Sequence, residues 1–168
     1  MQTILLEHPR DIYFMHLAQS AATAAHAAGE IPIGAVLVLG DKVISRGFNH
    51  RIGKYDPSAH AEMNALRAGA WYLKNYRMPE CELYVTLEPC LMCAGAIIHS
   101  RIARVVFGAS NPKTGACGSV LNVFDNNQIN HCTVLVRGVL ADECGAILKA
   151  FFMERRQIAR VAKKTINA

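Results

Sequence analysis

Two short segments of the sequence carry side chains that together suit metal-assisted hydrolysis. The first is an H-x-E pattern at residues 60–62, and the second is a P-C-x-x-C pattern at residues 89–93. One imidazole and two thiolates suit Zn²⁺ by type, and three protein ligands leave a fourth position for water, whose pKa the metal lowers to about 7. We therefore expect His60, Cys90 and Cys93 to bind one Zn²⁺ per chain. Glu62 is not a ligand, and we expect it to be the catalytic residue that takes the proton of this water and passes it on.

Each pattern has an ordinary explanation when it stands alone. An isolated H-x-E is common by chance, and an isolated C-x-x-C serves as a redox pair or as half of a structural zinc site. A structural site normally has four ligands with a second close pair, and the sequence contains no second C-x-x-C and no H-x-x-x-H. The proline before the first cysteine and the order of the two patterns match the signature of zinc nucleobase deaminases, which favours a catalytic zinc.

The composition indicates a single globular domain with an uneven distribution of charge. The 168 residues are 52% apolar and 18% charged, so one domain over residues 1–168 is expected. The net charge is +5, and Glu154 is the only acid among the last 20 residues. Six of the 18 basic residues lie there: Lys149, Arg155, Arg156, Arg160, Lys163 and Lys164. This cluster favours an anionic partner such as nucleic acid, and a solvated helix face is the alternative.

The sequence gives no sign of export or of membrane insertion. Residues 1–7 have no basic segment followed by an apolar one, and no apolar run reaches the length that spans a membrane. A cytoplasmic protein without a membrane partner is therefore expected, with its six cysteines present as thiols or metal ligands. The four cysteines outside the P-C-x-x-C pattern are expected to be small buried residues, among which Cys117 is the most exposed: Cys81, Cys117, Cys132 and Cys144.

Hydrophobic periodicity and turn signals predict alternating helices and strands. Helices are expected at 11–28, 61–73 and 91–99, with a long basic C-terminal helix over about 142–165 that Asp142 caps. Strands are expected at 33–39, 43–48, 83–87, 105–107 and 134–136, with a loop-rich insert over 111–130 that contains one short helix near Val120. His60 and the cysteines then lie at helix starts. The strand–helix–strand unit around the cysteines predicts a parallel crossover. The expected fold class is α/β, with one mixed sheet and helices on both faces.

Longer stretches around the motifs resemble one known family. The stretches D-P-S-A-H-A-E at 56–62, Y-V-T-L-E-P-C-L-M-C-A-G-A-I at 84–97 and S-R-I at 100–102 resemble the cytidine deaminase-like superfamily. The stretches K-T-G-A-C-G-S at 113–119 and F-F-M-E-R-R at 151–156 are similar to the bacterial tRNA-specific adenosine deaminases within it. The resemblance implies a three-layer αβα fold with a five-stranded mixed sheet. It also implies a homodimer and the hydrolytic conversion of adenosine to inosine at the wobble position of a tRNA anticodon.

The resemblance further implies roles for individual residues. Asn49 would hydrogen-bond the base, and the backbone N–H of Ala61 would lie close to the reacting centre. Arg155 and Arg156 would contact the backbone of the tRNA anticodon stem-loop, and no other protein partner is implied. Asn111 stands where the family often has aspartate; both residues bond a ribose 2′-hydroxyl, but only aspartate repels phosphate. From the residues alone, Asn49 could instead end a strand, and the two arginines could form surface ion pairs.

Three functions from different classes are compatible with the zinc residues. The first is deamination of adenosine in tRNA. The second is deamination of free cytosine, guanine or their nucleosides, which leaves the basic C-terminal helix without a use. The third is a non-catalytic RNA-binding module stiffened by zinc, in which a carboxylate beside an open zinc position has no role. Glu62 and the basic cluster therefore favour the first function.

Overall fold

The strands of the protein form one sheet that helices cover on both faces. The computed structural model describes residues 8–166, and the side chains of residues 8–163. The described helices are α1 (Pro9–Ala27), α2 (Arg51–Lys54), α3 (Ala61–Leu73), α4 (Leu91–His99) and α5 (Ala141–Ile166), with a 3-10 turn at Val123–Asp125. The strands are β1 (Gly34–Leu39), β2 (Lys42–Phe48), β3 (Cys81–Leu87), β4 (Arg104–Ala109) and β5 (Val134–Arg137). None of the described helices combines the length and the apolar character needed to span a membrane.

The sheet is mixed, with the strand order β2-β1-β3-β4-β5. Strand β1 pairs antiparallel with both β2 and β3, whereas β3, β4 and β5 are parallel to one another. Gly40 turns the β1–β2 hairpin with a φ of 59°, a conformation that favours glycine. Helix α4 makes the crossover between the parallel strands β3 and β4, as the segment around the cysteines predicted. The five-stranded mixed sheet confirms the predicted fold class.

Each face of the sheet buries its own apolar layer. On one face α3 and α4 pack against the strands through residues that include Leu66 and Ile97. On the other face α1 packs through Met15, and α5 reaches the same cluster through Cys144. Strand β1 is buried along its length except at Leu39, because helices cover it on both sides. The protein is therefore the three-layer αβα structure that the resemblance implied.

Two glycines allow helices to lie directly on the strands. A Cβ atom at Gly34 would lie 2.1 Å from the carbonyl oxygen of Ala18 in α1, and one at Gly47 would lie 2.2 Å from that of Ala61 in α3. No side chain fits at either position, because a backbone oxygen occupies the space. The contact at Gly47 holds the start of α3 against β2, and it thereby sets the position of the H-x-E segment.

The predicted strands and long helices agree with the structure to within two residues, but α2 was not predicted. The sequence indicates a polar loop there. In the structure the buried carboxylate of Glu30 accepts hydrogen bonds from the backbone N–H groups of Ile52 (3.1 Å) and Gly53 (2.7 Å). This contact comes from the end of α1, so the local pattern does not reveal it. The short helix expected near Val120 is the 3-10 turn, three residues later.

Two further expectations were wrong. Helix α5 begins at Ala141, so Asp142 lies in its first turn and not at its cap; the carboxylate still interacts favourably with the helix dipole there. Cys117 is not the most exposed thiol, because it is fully buried while Cys132 is exposed. The backbone N–H of Cys117 donates a hydrogen bond to the buried carboxylate of Glu88 at 3.0 Å, and this bond holds the loop inward. All six cysteines, each of which lies in the described part of the chain, are free.

Candidate active site

The three expected zinc ligands converge at the starts of two helices. His60 immediately precedes α3, Cys90 immediately precedes α4, and Cys93 lies in the first turn of α4. The Nδ1 atom of His60 lies 3.6 Å from the Sγ atom of each cysteine, and the three ligand atoms lie within 4.8 Å of one another. Tetrahedral Zn²⁺, with Zn–S bonds of about 2.3 Å and Zn–N bonds of about 2.0 Å, places such atoms about 3.5 Å apart. The donor types and their separations therefore fit one Zn²⁺.

Hydrogen bonding among these side chains prepares a thiolate. The bond that Cys93 donates lowers the pKa of Cys90 to about 3, and the same bond, together with burial, raises the pKa of Cys93. The pKa of His60 is raised by its hydrogen bond with Cys90, while burial and the positive charge of Arg51 oppose that rise. The positive ends of α3 and α4 both face the site and favour negative charge. Cys90 is therefore held in the thiolate form, which is the form that binds a metal.

Glu62 lies beside the ligands and is shielded from water. It stands in the first turn of α3, two residues after His60, and is 4% exposed. Burial is the main cause that raises the pKa of Glu62 above its usual 4.5. A carboxyl group whose pKa moves toward neutral pH both accepts and donates protons more readily. The helix start that positions His60 thus also positions a buried carboxyl group suited to acid–base chemistry.

Asn49 and Ala61, both expected to contact the substrate, are hydrogen-bonded to each other. Asn49 follows β2 and is 2% exposed, and its Oδ1 atom accepts the backbone N–H of Ala61 at 3.0 Å. This bond uses the N–H group of Ala61 and fixes the orientation of the Asn49 amide. The Nδ2 group of Asn49 donates no hydrogen bond to any residue in the described part of the chain. The pair is therefore placed one residue from His60, with an amide donor to offer a ligand.

Glu88 is a functional candidate that the sequence motifs do not reveal. This carboxylate is 2% exposed and lies between β3 and Cys90. It accepts the backbone N–H groups of Asn111 (2.9 Å), Cys117 (3.0 Å) and Ser119 (3.0 Å), as well as the hydroxyl of Ser119. Burial raises the pKa of Glu88, but these bonds outweigh it and hold the pKa below its usual value. A charged residue directly after a buried strand was the signal available in the sequence.

The segment that Glu88 anchors, residues 111–119, lies against the cysteine motif. The backbone N–H of Ala116 donates to the carbonyl of Pro89 at 2.9 Å, and Gly115 forms a β-bridge with Cys90. The side chain of Asn111 is used within this segment, because its Nδ2 group donates to the hydroxyl of Thr114 at 2.8 Å. The structure therefore brings Asn111 to the wall of the site through its backbone, with its amide folded back on the loop.

The basic part of α5 lies near the end of the sheet that carries the ligands. Helix α5 runs beside α1, with Phe151 buried and Phe152 43% exposed, so one ring is core and the other is not. The Nη2 group of Arg155 donates to the carbonyl of Gly29 at 2.7 Å, and Arg156 is exposed. Gly29 precedes β1, whose first residue lies at the carboxyl end of the antiparallel β3. The side chain of Lys164, which belongs to the same basic cluster, lies outside the described residues.

Comparison with known proteins agrees with this geometry. The family model for the cytidine and deoxycytidylate deaminase zinc-binding region matches residues 8–109. The tRNA-specific adenosine deaminase of Haemophilus influenzae is 50% identical over 159 residues, which cover 94% of this chain and 92% of that protein. A solved structure from work on A-to-I editing by tRNA:A34 deaminases at the wobble position of transfer RNA has a TM-score of 0.78 and 42% identity, over 81% of this chain and 99% of that one. A guanine deaminase from Nitrosomonas europaea shares the fold, with a TM-score of 0.74 and 24% identity over 86% and 84% of the two chains.

Proposed function

We propose that this chain, which belongs to the family of the cytidine and deoxycytidylate deaminase zinc-binding region and within it to the tRNA-specific adenosine deaminases, converts adenosine to inosine at the wobble position of a tRNA anticodon. The observation that carries the proposal is the buried carboxyl group of Glu62 beside a three-ligand zinc set, at 50% identity to a tRNA-specific adenosine deaminase over nearly the whole chain. A buried acid–base group next to a metal that has a free position is the arrangement of a hydrolytic enzyme.

The reaction replaces the amino group at C6 of adenine with the oxygen of a water molecule and releases ammonia. His60, Cys90 and Cys93 would hold Zn²⁺, which when bound supplies a water molecule of lowered pKa as the nucleophile. Glu62 would accept the proton that this water loses and deliver it to N1 of the base. It would then take the proton of the hydroxyl group now bonded to C6 and pass it to the departing amine, which leaves as ammonia. The burial of Glu62 suits this series of proton transfers, because a raised pKa allows one carboxyl group to act first as a base and then as an acid.

The remaining site residues would hold the RNA. The adenosine has to leave the base stack to reach the zinc position, as it does most easily from a single-stranded loop. Asn49 would donate its Nδ2 group to the base, and its bond to Ala61 keeps this donor in place. Arg155 and Arg156 would contact the phosphates of the anticodon stem-loop. Asn111 would line the wall of the site, with its amide free to bond a ribose hydroxyl only after it leaves Thr114.

Three features of the organisation are part of the same proposal. The chain is one domain over residues 1–168, it acts in the cytoplasm, and it forms a homodimer. The single sheet with its two apolar layers supports the first, and a tRNA substrate supports the second. The homodimer rests on the resemblance to the family. Light scattering coupled to size-exclusion chromatography would test it, with the mass of one chain as the contradicting result.

One experiment tests the proposed function directly. Zinc-loaded protein is incubated with an anticodon stem-loop that carries adenosine at the wobble position, and inosine is measured by mass spectrometry after nuclease digestion. Free adenosine, cytidine and guanine are assayed in parallel. We expect inosine in the stem-loop and very little turnover of the free compounds. Efficient deamination of free guanine or cytidine, without activity on the stem-loop, would instead support a small-molecule deaminase.

A further inference from the structure

Arg51 leaves a buried donor without a partner beside the active site. Of the buried side-chain nitrogen and oxygen atoms in the described part of the chain, only its Nε lacks a hydrogen bond. The guanidinium group also forms no ion pair with a described residue. Buried polar groups in native proteins are nearly always paired, and an unpaired charged donor is costly. An unpaired buried Nε therefore points to a hydrogen-bond partner from outside the chain, either a ligand or a water molecule.

The backbone places Arg51 next to the zinc ligands. The N–H group of His50 donates to the carbonyl of Ala59 at 2.9 Å, and Asn49 accepts from Ala61 at 3.0 Å. Residues 49–50 therefore run alongside residues 59–61, which include the ligand His60.

The carboxylates around α2 are already committed to other donors. Glu30 accepts the backbone N–H groups of Ile52 and Gly53. Asp56 accepts the backbone N–H of Ser58 at 2.8 Å and its hydroxyl at 2.7 Å. The bonds to Glu30 fix the backbone of α2, which carries Arg51, and neither carboxylate forms an ion pair with its guanidinium group.

We propose that Arg51 binds a backbone phosphate of the RNA next to the adenosine that enters the site. This inference rests on the proposed function. A guanidinium group pairs with phosphate through two parallel hydrogen bonds, and the pair that uses Nε requires the buried side of the Arg51 group to turn toward the ligand. The base, the ribose and the phosphate of a flipped nucleotide lie within one nucleotide length, so a cation beside the zinc ligands reaches the flanking phosphates. Arg51 is thus a positioning residue, which sets how the target nucleotide enters without touching the reacting atoms.

The test combines three variants with a chemically neutralised substrate. Stem-loops are prepared in which one phosphate at a time, on either side of the wobble adenosine, is replaced by a neutral methylphosphonate. Binding and turnover are measured for the wild type and for the Arg51→Ala, Arg51→Lys and Arg77→Ala variants. Arg77 is an exposed arginine after α3 whose guanidinium lies over the ring of Tyr76, and its replacement removes the same charge far from the ligands. Zinc content and melting temperature confirm that each variant is folded.

The expected result is a coupling between one residue and one phosphate. Arg51→Ala should raise KM about 10-fold with little change in kcat, and should flatten the log–log salt dependence of binding by about 0.7. Arg51→Lys should recover part of the loss, and Arg77→Ala should behave as the wild type. One methylphosphonate should weaken wild-type binding but leave the Arg51→Ala variant unaffected.

Two results would overturn the inference. One is an unchanged KM and salt dependence in the Arg51→Ala variant, and the other is an equal loss from every methylphosphonate in the wild type and in this variant. If the wild type forms no inosine in any stem-loop, the proposed function has failed instead, and the two failures are thereby distinguished.

Discussion

The two ends of the central sheet each carry a cluster of ionisable side chains, and the two clusters are completed in different ways. At the amino ends of β3 and β4, Arg104 bonds Asp11 at 2.6 Å and Glu82 at 2.8 Å, and the Tyr84 hydroxyl donates to Asp11 at 2.9 Å. Arg10 adds a second bond to Glu82 at 3.0 Å. Every charge in this cluster has an opposite charge as its partner within the protein.

The cluster at the carboxyl end of β3 comprises the proposed zinc ligands, Glu62 and Arg51. We call this the open end of the sheet, because some of its groups have no partner among the described residues. In the paired cluster at the amino ends, burial raises the pKa of Asp11, but bonds from Arg104 and Tyr84 outweigh burial and hold that pKa below its usual 3.8. For Glu62 burial prevails, and its pKa is raised. The same end of the sheet holds the unpaired Nε of Arg51. The comparison indicates that internally paired charges stabilise the fold, whereas charged groups without an internal partner are available to bind a metal or a substrate.

The zinc ligands should give the largest difference between the two ends. Cys90→Ser and Cys93→Ser should each remove most of the zinc, abolish nearly all turnover and lower the melting temperature, because metal binding contributes to folding. Elemental analysis should find about one zinc per wild-type chain. Cys132→Ser, which changes an exposed thiol, is the control and should keep both zinc and activity. Full zinc retention in a variant that carries both Cys90→Ser and Cys93→Ser would contradict the assignment of these ligands.

Replacing Glu62 should lower turnover at the open end without changing zinc binding or the stability of the fold. Glu62→Gln keeps the shape of the side chain but removes its proton chemistry, so kcat should fall by about 10² to 10⁴-fold. Zinc content and melting temperature should remain close to wild type, because Gln fills the same volume. Glu143→Gln, at an exposed position in the first turn of α5, is the matched control. Comparable turnover by the Glu62→Gln variant would mean that another residue moves the protons.

The difference between the two ends also explains what was predictable from the sequence. The proposed zinc ligands and Glu62 stand in short motifs, and the helix starts that carry them follow from periodicity. The roles of Glu88 and Glu30 were not predictable, because their partners lie 23 to 31 and 22 to 23 positions away in the chain. The burial of Cys117 was not predictable for the same reason, because its backbone N–H bonds to Glu88, 29 positions away. Local patterns indicate which residues can bind a metal or transfer protons. The positions of the loops depend instead on hydrogen bonds to buried carboxylates that are distant in the sequence.

Asp11 should change stability without changing catalysis. Asp11→Asn removes the charge that Arg104 contacts, and we expect the free energy of unfolding to fall by about 2 kcal/mol. This is less than the ~3–5 kcal/mol for a fully buried pair, because Arg104 keeps its ion pair with Glu82 and is partly exposed to solvent. The pKa of Asp11 is lowered in the folded protein, so its stabilisation is present above about pH 4 and is lost as the pH falls through the folded value. Denaturant unfolding should therefore show the two proteins converging at low pH, with kcat unchanged at neutral pH.

The control for this prediction is Asp125→Asn, at an exposed position in the 3-10 turn. It should leave stability within about 0.5 kcal/mol at every pH. A loss of turnover in the Asp11→Asn variant, with zinc content and stability intact, would show that the two ends of the sheet are not independent.

The smallest expected effect is at the basic part of α5, which is exposed beside the open end. Each phosphate contact adds about 0.7 to the log–log salt slope for single strands, so replacing both Arg155 and Arg156 with alanine should flatten the slope by roughly 1 to 1.5. RNA binding should weaken to a similar degree for stem-loops of different sequence, since backbone contacts position without specifying. Arg155 also donates to the carbonyl of Gly29, so the single Arg156→Ala variant separates RNA contact from the attachment of α5. It should retain the wild-type melting temperature and account for about half of the change in slope. An unchanged slope in the double variant would return this helix face to an ordinary solvated surface and leave the open end of the sheet as the whole of the RNA site.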